Sequence, residues 1–311
     1  MEAIRSRGLV KRYERGRVAA LSGLDLDVPQ GSVFGFLGPN GAGKTTAIKV
    51  FTGLTRPSSG EAWVAGEPVT GASLALRAQI GYLSQDQRFG SWMTGREILV
   101  FAGRLFGAGR EAARRRADEL LEMSGLATAG RRRVGGYSGG MVQRLGIAQA
   151  VVSSPRVLFL DEPCASLDPL GRRDVLDFIA RLRGQATVLM STHILADVER
   201  VCDTVGIIHR GVMVATAKTA ELGQTVAPPV LALDFETADG AAAFSSAWDA
   251  GHALASVSIN GAHVELRAPH LGAARAAALA LVAAHGLPLT RLETRSASLE
   301  DIFVQLVGGS S

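Results

Sequence analysis

The chain reads as an α/β protein with an inserted helical subdomain, followed by a smaller α+β unit, and three observations predict this. Short apolar runs ending in glycine or acids, SVFGFLG (Ser32 to Gly38), VLFLDEP (Val157 to Pro163) and TVLMSTH (Thr187 to His193), alternate with helical patterns. Such runs are the mark of buried strands in an α/β sheet. The stretch from about Asp86 to Ala150 differs, being rich in Arg, Glu, Ala and Leu at helical spacing. Beyond Pro229 the pattern changes again, to the order β-α-β-β-α-β of a small ferredoxin-like sandwich.

Each element has a local cause. The glycines after Phe36 end the first strand, and a helix is expected to begin near Gly43. Within the helical insertion, TGRE (Thr94 to Glu97) is a capping box, with a threonine oxygen for the orphan amides and a glutamate reaching back. Paired prolines in GQTVAPP (Gly223 to Pro229) mark a linker, so the expected domains are 1–225, with the helical subdomain at about 86–150, and 226–311. The second domain holds a strand in VLALDF, a helix at Gly240 to Ala250 and strands at Ala253 to Ile259 and Ala262 to Arg267. An alanine-rich helix to about His285 and a strand in LTRLET complete it. SLED, from Ser298, opens a last helix, and the closing GGSS reads as a flexible tail.

Composition excludes several classes. With 311 residues, 47% of them hydrophobic, the chain has enough apolar side chain for a real core and is not disordered. The formal charge of +4 is too small to argue for nucleic acid by itself. Cys164 and Cys202 are the sole cysteines, which suggests neither a disulfide framework nor a thiolate metal cluster and fits a reducing cytosol. The opening MEAIRSRGLVKRYERGR is interrupted by charge and lacks an apolar signal core. No run approaches the ~20 apolar residues of a membrane span, so at a membrane another chain would do the crossing. The clusters Arg114 to Arg116 and Arg131 to Arg133 read as solvated faces.

The chemistry starts at GPNGAGKT, Gly38 to Thr45, which matches G-x-x-x-x-G-K-[ST] at a strand-to-helix junction. Its glycines let backbone N–H groups turn inward around phosphates, and the following helix presents its positive dipole end. Lys44 is placed to reach the β and γ phosphates and the Thr45 hydroxyl to ligate Mg²⁺. No second GxxxxGK occurs, so there is one nucleotide cassette per chain. Asp161 and Glu162 follow a buried strand, where ligands sit in open α/β sheets. Asp161 suits a Mg²⁺ partner, and Glu162 a carboxylate that polarises an attacking water.

A second glycine-rich helix entrance, YSGGM (Tyr137 to Met141), lacks any lysine. Taken with Tyr13 in KRY, the phosphate loop, Gln85 in GYLSQ, the Asp161–Glu162 pair, SLD at Ser166 to Asp168 and His193 in STH, it makes the chain resemble an ATP-binding cassette (ABC) transporter ATPase over about residues 2 to 225. The resemblance implies a P-loop NTPase core of the ABC type with ATP and Mg²⁺ as cofactors. ATP would be held by Tyr13, stacking on adenine, and by Gly38, Pro39, Asn40, Gly41, Ala42, Gly43, Lys44, Thr45 and Thr46. Glu162, His193, Lys44 and Gln85 would be catalytic, and Thr45, Gln85 and Asp161 would serve the metal. It also implies a head-to-tail homodimer in which Ser138, Gly139, Gly140, Met141 and Asp168 act in trans, on the ATP bound by the other copy. This explains the missing lysine, since the opposing Lys44 supplies it. The sequence departs from the common LSGGQ with Tyr137 for Leu and Met141 for Gln; the latter removes a glutamine contact to the opposing nucleotide.

Separate transmembrane permease subunits are the implied partners, docking beside Gln85 and QRFGSWMTGRE, with the chain peripheral on the cytoplasmic side of the cell membrane and no nucleic acid bound. The ending SLEDIFVQL resembles the tail of bacterial export ATPases for drugs, antibiotics, lipids or polysaccharides, so export is the expected direction. A soluble ABC-type ATPase acting on nucleic acid or ribosomes is the competing reading. Against it, only a compact helical subdomain fits between Lys44 and Ser138, with no long coiled coil.

Overall fold

The computed structural model describes residues 2–13, 16–71, 73–219, 230–249, 256–268 and 271–295. The chain divides into two compact units, Met1–Thr219 and Ala220–Ser311. The proline linker at Gly223 to Pro229, the helix expected from Ser298 and the GGSS tail lie outside the described residues.

The first unit runs β1 (Glu2–Tyr13), β2 (Val18–Pro29), β3 (Val33–Leu37), α1 (Lys44–Phe51), β4 (Ser59–Val64), β5 (Glu67–Pro68), α2 (Leu74–Gln79) and β6 (Ile80–Leu83). The helical insertion follows, as α3 (Gly95–Leu105), α4 (Arg110–Met123) and α5 (Gly139–Ala150). It returns to β7 (Val157–Asp161), α6 (Pro169–Arg181), β8 (Thr187–Thr192), α7 (Leu195–Val201), β9 (Thr204–His209) and β10 (Val212–Lys218).

Two sheets share this unit. The larger has the order β10-β9-β3-β8-β7-β6, parallel from β9 to β6 and antiparallel at β10. β3 and β7 are buried at every position and so is β8, as expected of strands covered on both faces. Gly35 in the middle of β3 lets α7 pack close, for a Cβ there would stand 3.0 Å from both Cys202 Sγ and a Val198 methyl. The smaller sheet, β2-β1-β4-β5, is antiparallel, and in β2 the buried Leu24, Leu26 and Val28 alternate with exposed Asp25 and Asp27. Between the sheets lies one core in which Phe34, Phe36, Phe51 and Phe159 are fully enclosed, with Phe51 and Phe159 stacked 6.2 Å apart.

The insertion is assembled by capping and small-residue contacts. Thr94 accepts from the Glu97 amide at 3.2 Å while Glu97 takes the Thr94 amide at 2.8 Å, so the expected capping box opens α3. Gly103 of α3 meets Ala113 of α4. Gly140 of α5 faces Gly171 of α6 so closely that a Cβ at 140 would sit 3.0 Å from the Gly171 Cα.

The second unit comprises β11 (Val230–Phe235), α8 (Ala238–Asp249), β12 (Ser256–Asn260), β13 (His263–Arg267), α9 (Leu271–Ala284) and β14 (Leu289–Arg295). Its sheet order, β12-β13-β11-β14 with every pair antiparallel, is that of the ferredoxin-like sandwich read from the sequence. Leu231, Leu233, Val264 and Leu266 of the sheet enclose Phe244 and Trp248 of α8.

Candidate functional site

The parallel strands converge on one cleft. The loop after β3 leads into α1, Asp161 ends β7 with Glu162 next, β8 ends at Thr192 with His193 next, and Gln85 follows β6. All stand at carboxyl ends of strands, where open α/β sheets bind ligands. The cleft has a volume of 460 Å³ and is lined by Tyr13, Ala20, Pro39, Asn40, Gly41, Ala42, Gly43, Lys44, Thr45, Thr46, Gln85 and Glu162. Tyr13, 36% exposed, carries Lys11 Nζ 5.0 Å from its ring centroid.

The loop's shape depends on two glycines. A Cβ on Gly38 would fall 2.5 Å from the Ile208 carbonyl oxygen, and one on Gly43 the same distance from that of Ala20. Gly43 also has φ of +109°, the left-handed territory glycine alone occupies without strain. Lys44, whose side chain is only 6% exposed, donates to the Gly38 carbonyl at 2.7 Å and the Pro39 carbonyl at 3.2 Å, and its Nζ pairs with Glu162 Oε1 at 3.1 Å.

The acidic pair is held from three sides. Ser191 Oγ donates to Asp161 Oδ1 at 2.7 Å and accepts from the Glu162 amide at 2.9 Å. Thr45 Oγ1 donates to the same Asp161 oxygen at 3.1 Å. Burial pushes the Asp161 carboxyl above its ordinary range, and the bonds from Ser191 and Thr45 pull part of the way back. Asp161 Oδ2 is buried and has no hydrogen-bond partner among the described residues. Glu162 adopts φ of +50°, a left-handed conformation costing a non-glycine residue about 1–3 kcal/mol unless its surroundings enforce it. Its Oε2 lies 2.9 Å from His193 Nδ1, leaving Nε2 as the other polar atom of a ring that is 45% exposed.

Hard oxygens from Thr45 and Asp161, one of them orphaned, form a donor set suited to Mg²⁺, and the glycine turns form a cradle sized for phosphate. Ser191 was not singled out in the sequence; its register opposite Asp161 across β7 and β8 is what makes it part of the site.

The remaining candidates form a second group. Ser138 caps α5, accepting from the Met141 amide at 3.3 Å, and Ser138 and Gly139 are exposed. Asp168 caps α6 by accepting from the Gly171 amide at 2.9 Å, with Pro169 in the first turn. A Cβ on Gly139 would touch Leu167, so the two caps are neighbours, and neither Ser138 nor Asp168 lines the Lys44 cleft.

Comparisons with known proteins place the chain in a family. Residues 21–165 match the family model described as ABC transporter. The chain is 39% identical to the ABC transporter ATP-binding protein YxlF of Bacillus subtilis, over 93% of this chain and 94% of that one. It is 42% identical to the daunorubicin/doxorubicin resistance ATP-binding protein DrrA of Streptomyces peucetius, over 77% of this chain and 72% of the relative. Among solved structures, cbiO1 from Clostridium perfringens, part of the ABC transporter complex cbiONQ, superposes with a TM-score of 0.65 at 28% identity, covering 71% of this chain and 90% of its own. A strand-to-helix phosphate loop backed by a serine-held acidic pair, together with these relatives, identifies the chain as an ATP-hydrolysing, ATP-binding subunit of the ABC transporter family.

Proposed function

We propose that two copies of this chain close head to tail around two Mg²⁺·ATP and that hydrolysis reopens them, driving export through separate membrane subunits. The observation that carries this reading is the division of the site. One group of residues surrounds the Lys44 cleft, while Ser138, Gly139 and Asp168 stand exposed at two helix N-termini outside its lining. A helix N-terminus without a lysine suits a phosphate that already has one. The γ phosphate bridges both surfaces and therefore favours the closed state, as only a ligand with differential affinity can.

Within one cleft, Tyr13 stacks on adenine, Gly38 and Pro39 shape the turn, and the amides of Asn40 to Thr46 with the Lys44 ammonium hold the phosphates. ATP takes over Lys44, displacing its ion pair with Glu162 and freeing that carboxylate to accept a proton from the attacking water. Thr45 and Asp161, with Gln85, hold Mg²⁺, which when bound neutralises charge on the phosphate oxygens. His193, fixed through Nδ1 by Glu162, directs Nε2 toward the γ phosphate. Ser138, Gly139, Gly140 and Met141 of the opposing copy meet that phosphate from the other side, with Asp168 at the seam.

No helix among the described residues is long and apolar enough to cross a membrane, which suits a peripheral subunit on the cytoplasmic face. A groove of 350 Å³ between the sheet edge and the helical insertion, walled by Leu54, Ile80, Tyr82, Phe106 and Gly146, with Trp92 exposed after Gln85, suits a short helix of a permease subunit. The relatives named for daunorubicin and doxorubicin resistance favour drug-like cargo and export. Glu162→Gln tests the catalytic assignment: phosphate release should fall by about 10²-fold or more while ATP binding is retained, and normal turnover would refute it.

A further inference from the structure

The approach to the glycine-rich YSGGM entrance of α5 (Tyr137 to Met141), the signature, is tied to the start of α3. The Val134 amide donates to the Met93 carbonyl at 2.8 Å, the Gly135 amide to that of Ser91 at 3.0 Å and the Arg96 amide to that of Gly130 at 2.9 Å. Tyr137 completes this set from its side chain. Its phenol, half-buried, donates to the Ala129 carbonyl at 2.8 Å and lies against Gly95, the first residue of α3. The fit is close, since a Cβ on Gly95 would stand 2.5 Å from the phenol oxygen. A leucine at position 137 has no atom to make such a bond.

The next residue is Ser138, the cap of α5, so whatever holds Tyr137 fixes the point from which the capping hydroxyl and the Gly139 amide are presented. The other end of the link is the segment Ser91 to Arg96, which leads back to Gln85 at the cleft.

We propose that Tyr137 is a positioning residue for ATP-driven closure, its hydroxyl tying the signature serine and the N-terminus of α5 to the Ala129–Gly130 turn, which the Arg96 amide holds against the first turn of α3, so that the segment following Gln85 and the signature move as one body. This rests on the reading above that the signature engages ATP held by the opposing copy. Tyr137 itself touches neither nucleotide; it acts through Ser138 and Gly139. Packed side chains and hydrogen-bond networks carry coupling between sites, and the three backbone bonds with the phenol form such a connection.

The test uses the full chain carrying Glu162→Gln, given Mg²⁺ and ATP, with dimerisation followed by analytical ultracentrifugation. Tyr137→Phe keeps the ring and removes only the hydroxyl. One part-buried hydrogen bond corresponds to at most about five-fold, and each dimer contains two signatures, so the dimer dissociation constant should rise measurably, by up to about 25-fold. Binding of a fluorescent ATP analogue to the single copy, which uses the Lys44 cleft, should stay unchanged; a merely structural role would lower both. Gly95→Ala, which crowds the phenol oxygen from the opposite side, should show the same split and carries the test should the Phe variant not fold. Wild-type dimerisation in both variants, or an equal loss of single-copy affinity, overturns the proposal. Ser138→Arg separates the two levels. If it abolishes the dimer while Tyr137→Phe does not, the inference about Tyr137 alone fails; if it leaves the dimer intact, the signature reading fails and takes the inference with it.

Discussion

Ser191→Ala tests whether the acidic pair is organised from β8. The Ser191 side chain is fully buried, and its single oxygen donates to Asp161 at 2.7 Å and accepts from the Glu162 amide at 2.9 Å. Alanine removes both bonds and leaves the amide of a residue at φ +50° without a partner in the interior. Each bond is worth about 1 kcal/mol net and an orphaned buried amide costs about 1–3 kcal/mol, so the variant should lose roughly 2–4 kcal/mol. Glu162 would then be free to leave its strained conformation. A displacement of about 1 Å in a reacting group can cost about 10²-fold in rate, which sets the expected fall in turnover. Urea unfolding of the full chain, followed by circular dichroism, and ATP-dependent phosphate release measure the two effects. A variant within about 0.5 kcal/mol of wild type, the range of ordinary surface substitutions, with unchanged turnover would refute the argument.

Gly43→Ala should weaken ATP binding by at least about ten-fold, because its Cβ meets the Ala20 carbonyl oxygen and its φ is +109°. Gly41→Ala, at φ +80° with open space around it, should cost less, and equal losses in an analogue titration would contradict the geometry. Burial pushes the Cys164 thiol from 9.0 up to about 12, so the folded chain keeps a proton that the unfolded chain gives up. Stability should therefore fall as pH rises from about 9 toward 12, and Cys164→Ala should make that alkaline limb shallower in urea unfolding, leaving the part owed to Tyr82 and Cys202, which burial also pushes up; an unchanged slope would contradict it.

What was legible in the sequence followed from local causes. β3, β7 and β8 are uninterrupted apolar runs because both of their faces are covered, and the capping box at Thr94 and the order of the second unit's elements are local patterns as well. β1 escaped notice because charges crowd it and a buried polar residue breaks its alternation: Ser6 is fully enclosed, its hydroxyl satisfied by the Leu24 carbonyl. The partners of Ser191 and Tyr137 were hidden for a different reason. Ser191 reaches Asp161 through the pairing of β7 with β8, and Tyr137 reaches Gly95 through the packing of the helical insertion, neither of which any short stretch of sequence encodes.

The central claim is that each ATP is shared by unlike surfaces of two copies, and mixing defective chains tests it most directly. Lys44→Ala spoils the cleft and leaves the signature intact, whereas Ser138→Arg does the reverse, so each variant alone should be inactive in phosphate release. Mixed one to one, they should recover activity from the single complete site that forms between the intact cleft of one and the intact signature of the other. A mixture as inactive as its components, with both variants folded and the Ser138→Arg chain still binding ATP, would contradict the account.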